Sequence, residues 1–224
     1  MHRLVVTNVE DATRAIARGL DRALQSKLKV LWLISGGSNI PIEMEVLARL
    51  KHATHHNLTI SLIDERFVPL DSPNSNWHAL LDAGLTGEKA RLEPPIINWD
   101  LSLHDAAADW AKRLSGVMSE ADVVLGQFGI GADGHTAGIL PHTKGVHEDE
   151  RLVVGYKGKD FERLTTTAVL FAKLDLATVV AMGESKKPVL ESMPSDISVE
   201  DQPAQLLLQT DELIVYTDQE VRWS

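Results

Sequence analysis

Residues 30–50 read VLWLISGGSNIPIEMEVLARL. The first five are all apolar, as in a strand buried on both faces of a parallel sheet. The run stops at Gly36 and Gly37. From Asn39 a helix is expected, with Pro41 in its first turn, where a missing N–H costs nothing. A strand, a glycine turn and a helix in that order make the first half of a βαβ unit.

The same alternation extends in both directions. Upstream, RLVVT precedes DATRAIARGLDRALQ, which has helical spacing and either Asn8 or Asp11 as its cap. Downstream, LTISLIDERFV is expected as one strand over residues 58–68, and SNWHALLDAGL as a helix closed by Gly84 or Gly87. PPIINWD reads as a short strand or turn, HDAAADWAKRLS as a helix and DVVLGQFGI as a buried strand. LVVGYK, LTTTAVLFAKL, TVVAMG, ESKKPVLESM and ELIVYTD continue the series without a repeat or a long linker. Strands that alternate with helices of this length imply a mostly parallel sheet flanked by helices.

The bulk properties narrow the function. The 224 residues permit one large α/β domain or two small ones, with 44% hydrophobic and 24% charged residues. There is no cysteine, which excludes disulfides, thiolate catalysis and thiolate zinc sites. No membrane-span-length apolar run and no secretory signal pattern occur, so a cytoplasmic protein is the simplest expectation. The net charge of −10 and the lack of a basic stripe argue against nucleic acid. A small anionic ligand would need local cations and backbone N–H donors to overcome that field.

Ligands of open parallel sheets bind beyond the carboxyl ends of the strands. Three motifs fall at such ends: SGGS at 35–38, DER at 64–66 and GIGADGHTAGILP at 129–141. Gly36, Gly37 and Ser38 offer free N–H groups and a helix N-terminus, an anion site, or equally a plain tight turn. They lack the lysine of a nucleoside-triphosphate loop and the dinucleotide glycine pattern. In DER, alternation points Asp64 and Arg66 to one side and Glu65 to the other. Arg66 suits a phosphate or carboxylate fork, and Asp64 a sugar hydroxyl or a proton, although a lone DER also reads as a solvated strand end.

His135 is suited to general base catalysis, with Asp133 to orient it and loop glycines to leave N–H groups for an oxyanion. Taken alone, the same loop reads as a turn with an exposed histidine. His142 and His147 follow, but their spacing matches no metal-ligand set, and no metal is expected. Arg163 in FERLTTT and the pair Lys186–Lys187 add cations. Two lysines at a helix start are unfavourable by up to ~1 kcal/mol, which an anionic ligand would offset, although taken alone the pair reads as two solvated lysines.

Together SGGSNIP, IDERFVPLDSPNSNW, GIGADGHTAGILP, RLTTTAVL and MGESKKPVL resemble the 6-phosphogluconolactonase family, in the same order, over residues 33–190. The resemblance implies a single Rossmann-like α/β domain over residues 1–224, a fold shared with glucosamine-6-phosphate deaminases. It implies a cofactor-free carboxylic ester hydrolase that opens 6-phospho-D-glucono-1,5-lactone in the pentose phosphate pathway. Carried over by position, His135 is the general base. Arg66, Arg163, Lys186 and the turn Gly36–Ser38 hold phosphate and substrate, with Lys186 rather than Lys187 matching the spacing from Gly183. Departures from the usual pattern occur at Ala132, Gly138 and Trp77, and RLTTT matches loosely. None removes a proposed chemical group.

Two alternatives stand beside this expectation. A deaminase or isomerase of the same fold would want an acid soon after the histidine, and none occurs before Glu148. A sugar-phosphate sensor would keep the anion site and dispense with the base. The expected partner is a small sugar phosphate, with neither nucleic acid nor membrane, and both a monomer and a dimer fit the sequence.

Overall fold

The computed structural model describes residues 1–223. The chain runs β1 (His2–Val6), α1 (Val9–Gln25), β2 (Val30–Ile34), α2 (Ile40–Arg49), β3 (Leu58–Leu62), β4 (Asp64–Arg66), α3 (Asn76–Asp82) and β5 (Arg91–Glu93). It continues through α4 (Leu103–Glu120), β6 (Val123–Phe128), β7 (Val153–Lys157), β8 (Glu162–Thr166) and α5 (Ala168–Phe171). The last elements are β9 (Leu176–Val180), α6 (Lys187–Ser192) and β10 (Leu213–Thr217). Seven strands form a parallel sheet in the order β1-β10-β9-β6-β2-β3-β5, so the expected α/β class holds.

All five β2 residues are buried. Leu31 and Leu33 join the core on one face with Trp110, Phe128 and Phe171, while Val30, Trp32 and Ile34 join the other with Ile16, Leu20 and Trp77. Helices cover both faces, which is why this strand alternates between two cores rather than between core and water. Asn8 caps α1, its Oδ1 accepting from the Asp11 N–H at 2.8 Å. Ser102 and Ser75 cap α4 and α3 likewise, and Gly84 follows α3 with φ +99°.

The strand order reverses between β2 and β6. From β2 the chain proceeds to β3 on one side, and from β6 to β9 on the other. Such a switch point opens a crevice at the carboxyl ends of its two strands. The SGGS turn leaves β2 there, and the histidine loop leaves β6 beside it, since Ile34 pairs with Gln127.

One expectation is corrected. Residues 58–68 are not one strand. Beyond Leu62 the partner β2 has ended, and the Ile63 N–H donates to its last carbonyl, that of Ile34, at 2.8 Å. The chain then crosses into a second, antiparallel sheet of order β4-β8-β7. PPIINWD, expected as a short strand or turn, takes the turn: β5 ends at Glu93, because Pro94 and Pro95 have no N–H to extend the ladder. The carbonyls of those prolines instead accept from Arg113 at 2.8 and 2.7 Å. No helix among the described residues is long and apolar enough to cross a membrane.

Candidate functional site

A cleft of about 300 Å³ lies over the switch point, at the lower end of the range for small-molecule sites. Gly36, Gly37, Ser38 and His135 line it from the large sheet, and Asp64, Arg66 and Arg163 from the small one, with Lys186 at the edge. Asp133 does not line the cleft but contacts His135 from behind.

The first wall is the turn after β2. Gly36 and Gly37 have φ of +71° and +57°, a region that disfavours any residue with a Cβ. One 3-10 turn, Gly37–Asn39, then leads into α2 with Pro41 in its first turn. From α2 the Glu43 carboxyl reaches back. Its Oε1 accepts from the Ser35 N–H at 2.9 Å, the Ser35 hydroxyl at 3.2 Å and the Gly36 N–H at 3.2 Å. The N–H groups of Gly37 and Ser38 have no acceptor among the described residues.

The second wall is the loop after β6. The Gly131 N–H donates to the His135 carbonyl at 2.8 Å, and the Gly134 N–H to the Gly131 carbonyl at 3.1 Å. Gly138 donates to Thr165 Oγ1 at 3.1 Å. The expectation that the loop glycines leave their N–H groups free for an oxyanion is therefore corrected for these three: two hold the loop itself together and the third ties it to β8. The buried Thr136 hydroxyl donates to the Gly129 carbonyl at 2.9 Å, and the Ala204 N–H to the Gly134 carbonyl at 2.9 Å.

The loop fixes the imidazole. His135 Nδ1 lies 2.5 Å from Asp133 Oδ1, which also accepts from the His135 N–H at 3.2 Å. A carboxylate only accepts, so Nδ1 carries the proton, and in the neutral imidazole the lone pair is on Nε2. Partial burial pushes the Asp133 carboxyl up, but the His135 amide, charge and ring N–H outweigh it and hold it below the usual range. Gly131 packs against this pair so closely that a Cβ there would overlap both the imidazole and the carboxylate. Gly131→Ala is expected to lower kcat with little change in far-ultraviolet circular dichroism, since the clash is with the histidine and not with the sheet.

The third wall joins β4 to β8. Their antiparallel register sets Arg66 directly opposite Arg163, and Asp64 opposite Thr165. Like charges directly opposite destabilise a sheet. Arg163 is partly compensated by Asp160 at 2.9 Å, and Arg66 donates to the Asn74 carbonyl at 3.0 Å and lies over Phe161. Both Nε–H groups remain buried without a partner among the described residues. Two guanidinium groups lining one cleft have the chemistry to hold a doubly charged anion. Lys187 lies 3.9 Å from Glu191, whereas Lys186 lines the cleft.

Asp64 and Glu65 part as alternation requires. Glu65 turns away from the cleft and accepts from the N–H groups of Arg66, Asn76 and Trp77 at 2.7, 2.7 and 2.8 Å, and from the Ser75 hydroxyl at 2.9 Å. It is a structural clamp on the start of α3. Asp64 is buried, and desolvation pushes its carboxyl up to about 7, with Glu65 adding to the rise and Arg163 and Arg66 opposing it. Burial likewise raises Glu43 to about 7, against the donors from Gly36 and Ser35.

These two acids set a pH dependence. Each is protonated in the fold over a window where the unfolded chain, with ordinary values of 4.5 and 3.8, has lost its proton. Their contribution to stability is fully present below those ordinary values and is lost as pH rises through about 7. The thermal midpoint of the ligand-free protein should fall between roughly pH 5 and pH 8. The double variant Glu43→Gln/Asp64→Asn should flatten that slope.

Sequence reasoning missed Glu43, the clamp role of Glu65, and two asparagines. Asn76 lines the cleft and donates to the Asp64 carbonyl at 3.2 Å, and Asn39 donates to Ser35 Oγ at 3.0 Å. Glu43 did leave a signal: it falls at helical spacing with Val46 and Leu47, an acid on the buried face of α2. His142 and His147 lie elsewhere, near Glu200 at 3.6 Å.

The family model described as glucosamine-6-phosphate isomerases/6-phosphogluconolactonase matches residues 7–216. The chain belongs to this family. It is 29% identical over 211 residues to a 6-phosphogluconolactonase of Treponema pallidum, covering 84% of this chain and 83% of that one. It is 26% identical over 222 residues to one from Synechocystis, covering 95% and 91%. A crystal structure of 6-phosphogluconolactonase from Thermotoga maritima superposes with a TM-score of 0.81 at 20% identity, over 97% of this chain and 98% of that one. The Trypanosoma brucei enzyme of the same name gives 0.72 at 19% identity, over 96% and 95%. At these identities the structural likeness speaks to the fold. Among the family departures, Gly138 ties the loop to the small sheet: its N–H is held by Thr165 on β8, and its carbonyl accepts from the Tyr156 hydroxyl on β7.

Proposed function

We infer that this chain hydrolyses 6-phospho-D-glucono-1,5-lactone to 6-phospho-D-gluconate, a step of the pentose phosphate pathway. The observation that carries the reading is an imidazole with Nδ1 held by Asp133 and Nε2 free, in a cleft whose other walls present two arginines, a lysine and unpaired amides. Hydrolysis of a lactone needs a base for water, a place for the developing negative charge and a proton for the ring oxygen.

In this reading His135 Nε2 takes a proton from water, and the hydroxide attacks C1. The carbonyl oxygen becomes an oxyanion, and collapse breaks the C1–O5 bond. The imidazolium returns its proton to O5. With Gly131, Gly134 and Gly138 engaged, stabilisation of the oxyanion falls to Asp64, whose neutral acid form can donate a hydrogen bond. Arg66, Arg163, Lys186 and the N–H groups of Gly37 and Ser38 hold the phosphate. General base catalysis contributes roughly 10²–10⁴-fold, and an oxyanion donor roughly 10²–10³-fold. Together they suffice for a substrate that also opens unaided.

The deaminase alternative is disfavoured by Glu148, the first acid after His135. It accepts from the backbone of Glu150 and Arg151 at 3.2 and 2.9 Å and does not line the cleft. The test is loss of freshly made 6-phosphogluconolactone, followed by NMR against its spontaneous hydrolysis. Acceleration by the wild-type protein supports the reading. Ammonia release from glucosamine 6-phosphate, or binding of the sugar phosphate without acceleration, would replace it.

A further inference from the structure

Glu43 has no part in the mechanism above, yet it is the acid nearest the anion turn in its bonding. Its side chain is buried in α2 at 1% exposure. One oxygen ties Ser35 and Gly36 back into the fold through three hydrogen bonds. The other, Oε2, is buried with no partner among the described residues. An ionised Glu43 would leave that oxygen charged and unsolvated, directly behind the amides that face the ligand. A neutral acid keeps Oε1 as an acceptor and puts no negative charge there.

We propose that Glu43 is a positioning residue for the phosphate turn: it holds Ser35 and Gly36 so that the Gly37 and Ser38 N–H groups face the cleft, and it does so as the neutral acid whenever the anion is bound. Binding of the sugar phosphate is then coupled to proton uptake at Glu43. The other titratable group that acts on it is Asp64 on β4, which is itself influenced by Arg163, Glu65 and Arg66. Asn39 and Asn76, the other polar side chains around the turn, are neutral. Burial already favours the protonated form near neutral pH, so the coupling falls in a physiological window. This inference rests on the phosphate-binding reading of the cleft.

The test is calorimetric titration of the whole protein with 6-phosphogluconate, between pH 6.5 and 8.5, in buffers of differing ionisation enthalpy. The wild type should take up protons on binding, and its dissociation constant should rise roughly tenfold over that range. Glu43→Gln keeps an acceptor for Ser35 and Gly36 but cannot titrate. It should bind as the wild type does at pH 6.5, take up fewer protons and weaken less as pH rises. Glu43→Leu should bind at least tenfold more weakly at every pH, because the turn is released. Proton uptake in Glu43→Gln equal to that of the wild type, no uptake in the wild type, or wild-type affinity in Glu43→Leu would overturn the role of Glu43. A wild type that neither hydrolyses the lactone nor binds 6-phosphogluconate would overturn the functional reading itself, and this inference with it.

Discussion

His135→Ala is expected to lower kcat for lactone hydrolysis by roughly 10²–10⁴-fold while KM changes little. The imidazole acts on water, not on the substrate's phosphate, so its loss removes stabilisation made only in the transition state. Asp133→Asn should be milder. It replaces an acceptor-only carboxylate with a group that can also donate, so Nδ1 no longer has a fixed proton and the tautomer is no longer enforced. Stopped-flow measurement of lactone decay, with the uncatalysed rate subtracted, reads both variants. Near-wild-type activity in His135→Ala would show that another group activates the water.

The second large effect is at the arginine pair. Arg66→Ala or Arg163→Ala should each raise KM by roughly 10–100-fold, the worth of a charged hydrogen bond, with kcat changing far less. Register sharpens this. Because the two residues are directly opposed across β4 and β8, each suffers the other's charge when no anion is present. Removing either should therefore leave the ligand-free thermal midpoint unchanged or higher, while abolishing most of the stabilisation that 6-phosphogluconate gives the wild type. A lowered midpoint together with an unchanged KM would mark the pair as structural.

Much of this was legible in the residues. Unbroken apolar β2 and helical α1 and α4 gave a parallel sheet, and the glycine and charge motifs at strand ends predicted where a site would be. Alternation alone separated Asp64 and Arg66 from Glu65. The second sheet was not legible, because LTISLIDERFV has strand character throughout and its break is set by where a neighbouring strand ends. Local pattern does not contain that information. The loop amides were misassigned for a related reason: a run of glycines announces close approach but not whether a ligand or the loop's own carbonyls make it. Glu43 was overlooked because its role appears only once α2 is folded against the turn.

Ile63 is the single residue between the two sheets. It is wholly buried, its N–H donates to the Ile34 carbonyl at 2.8 Å, and its carbonyl accepts from the Thr166 N–H at 3.0 Å. One residue thereby gauges the span from the amide turn to the arginines, the two sides between which the proposed phosphate is held. An insertion at this point would do more than lengthen the span. By shifting the two-residue repeat it would present Glu65 to the ligand and turn Asp64 and Arg66 toward α3, exchanging an attractive wall for a repulsive one.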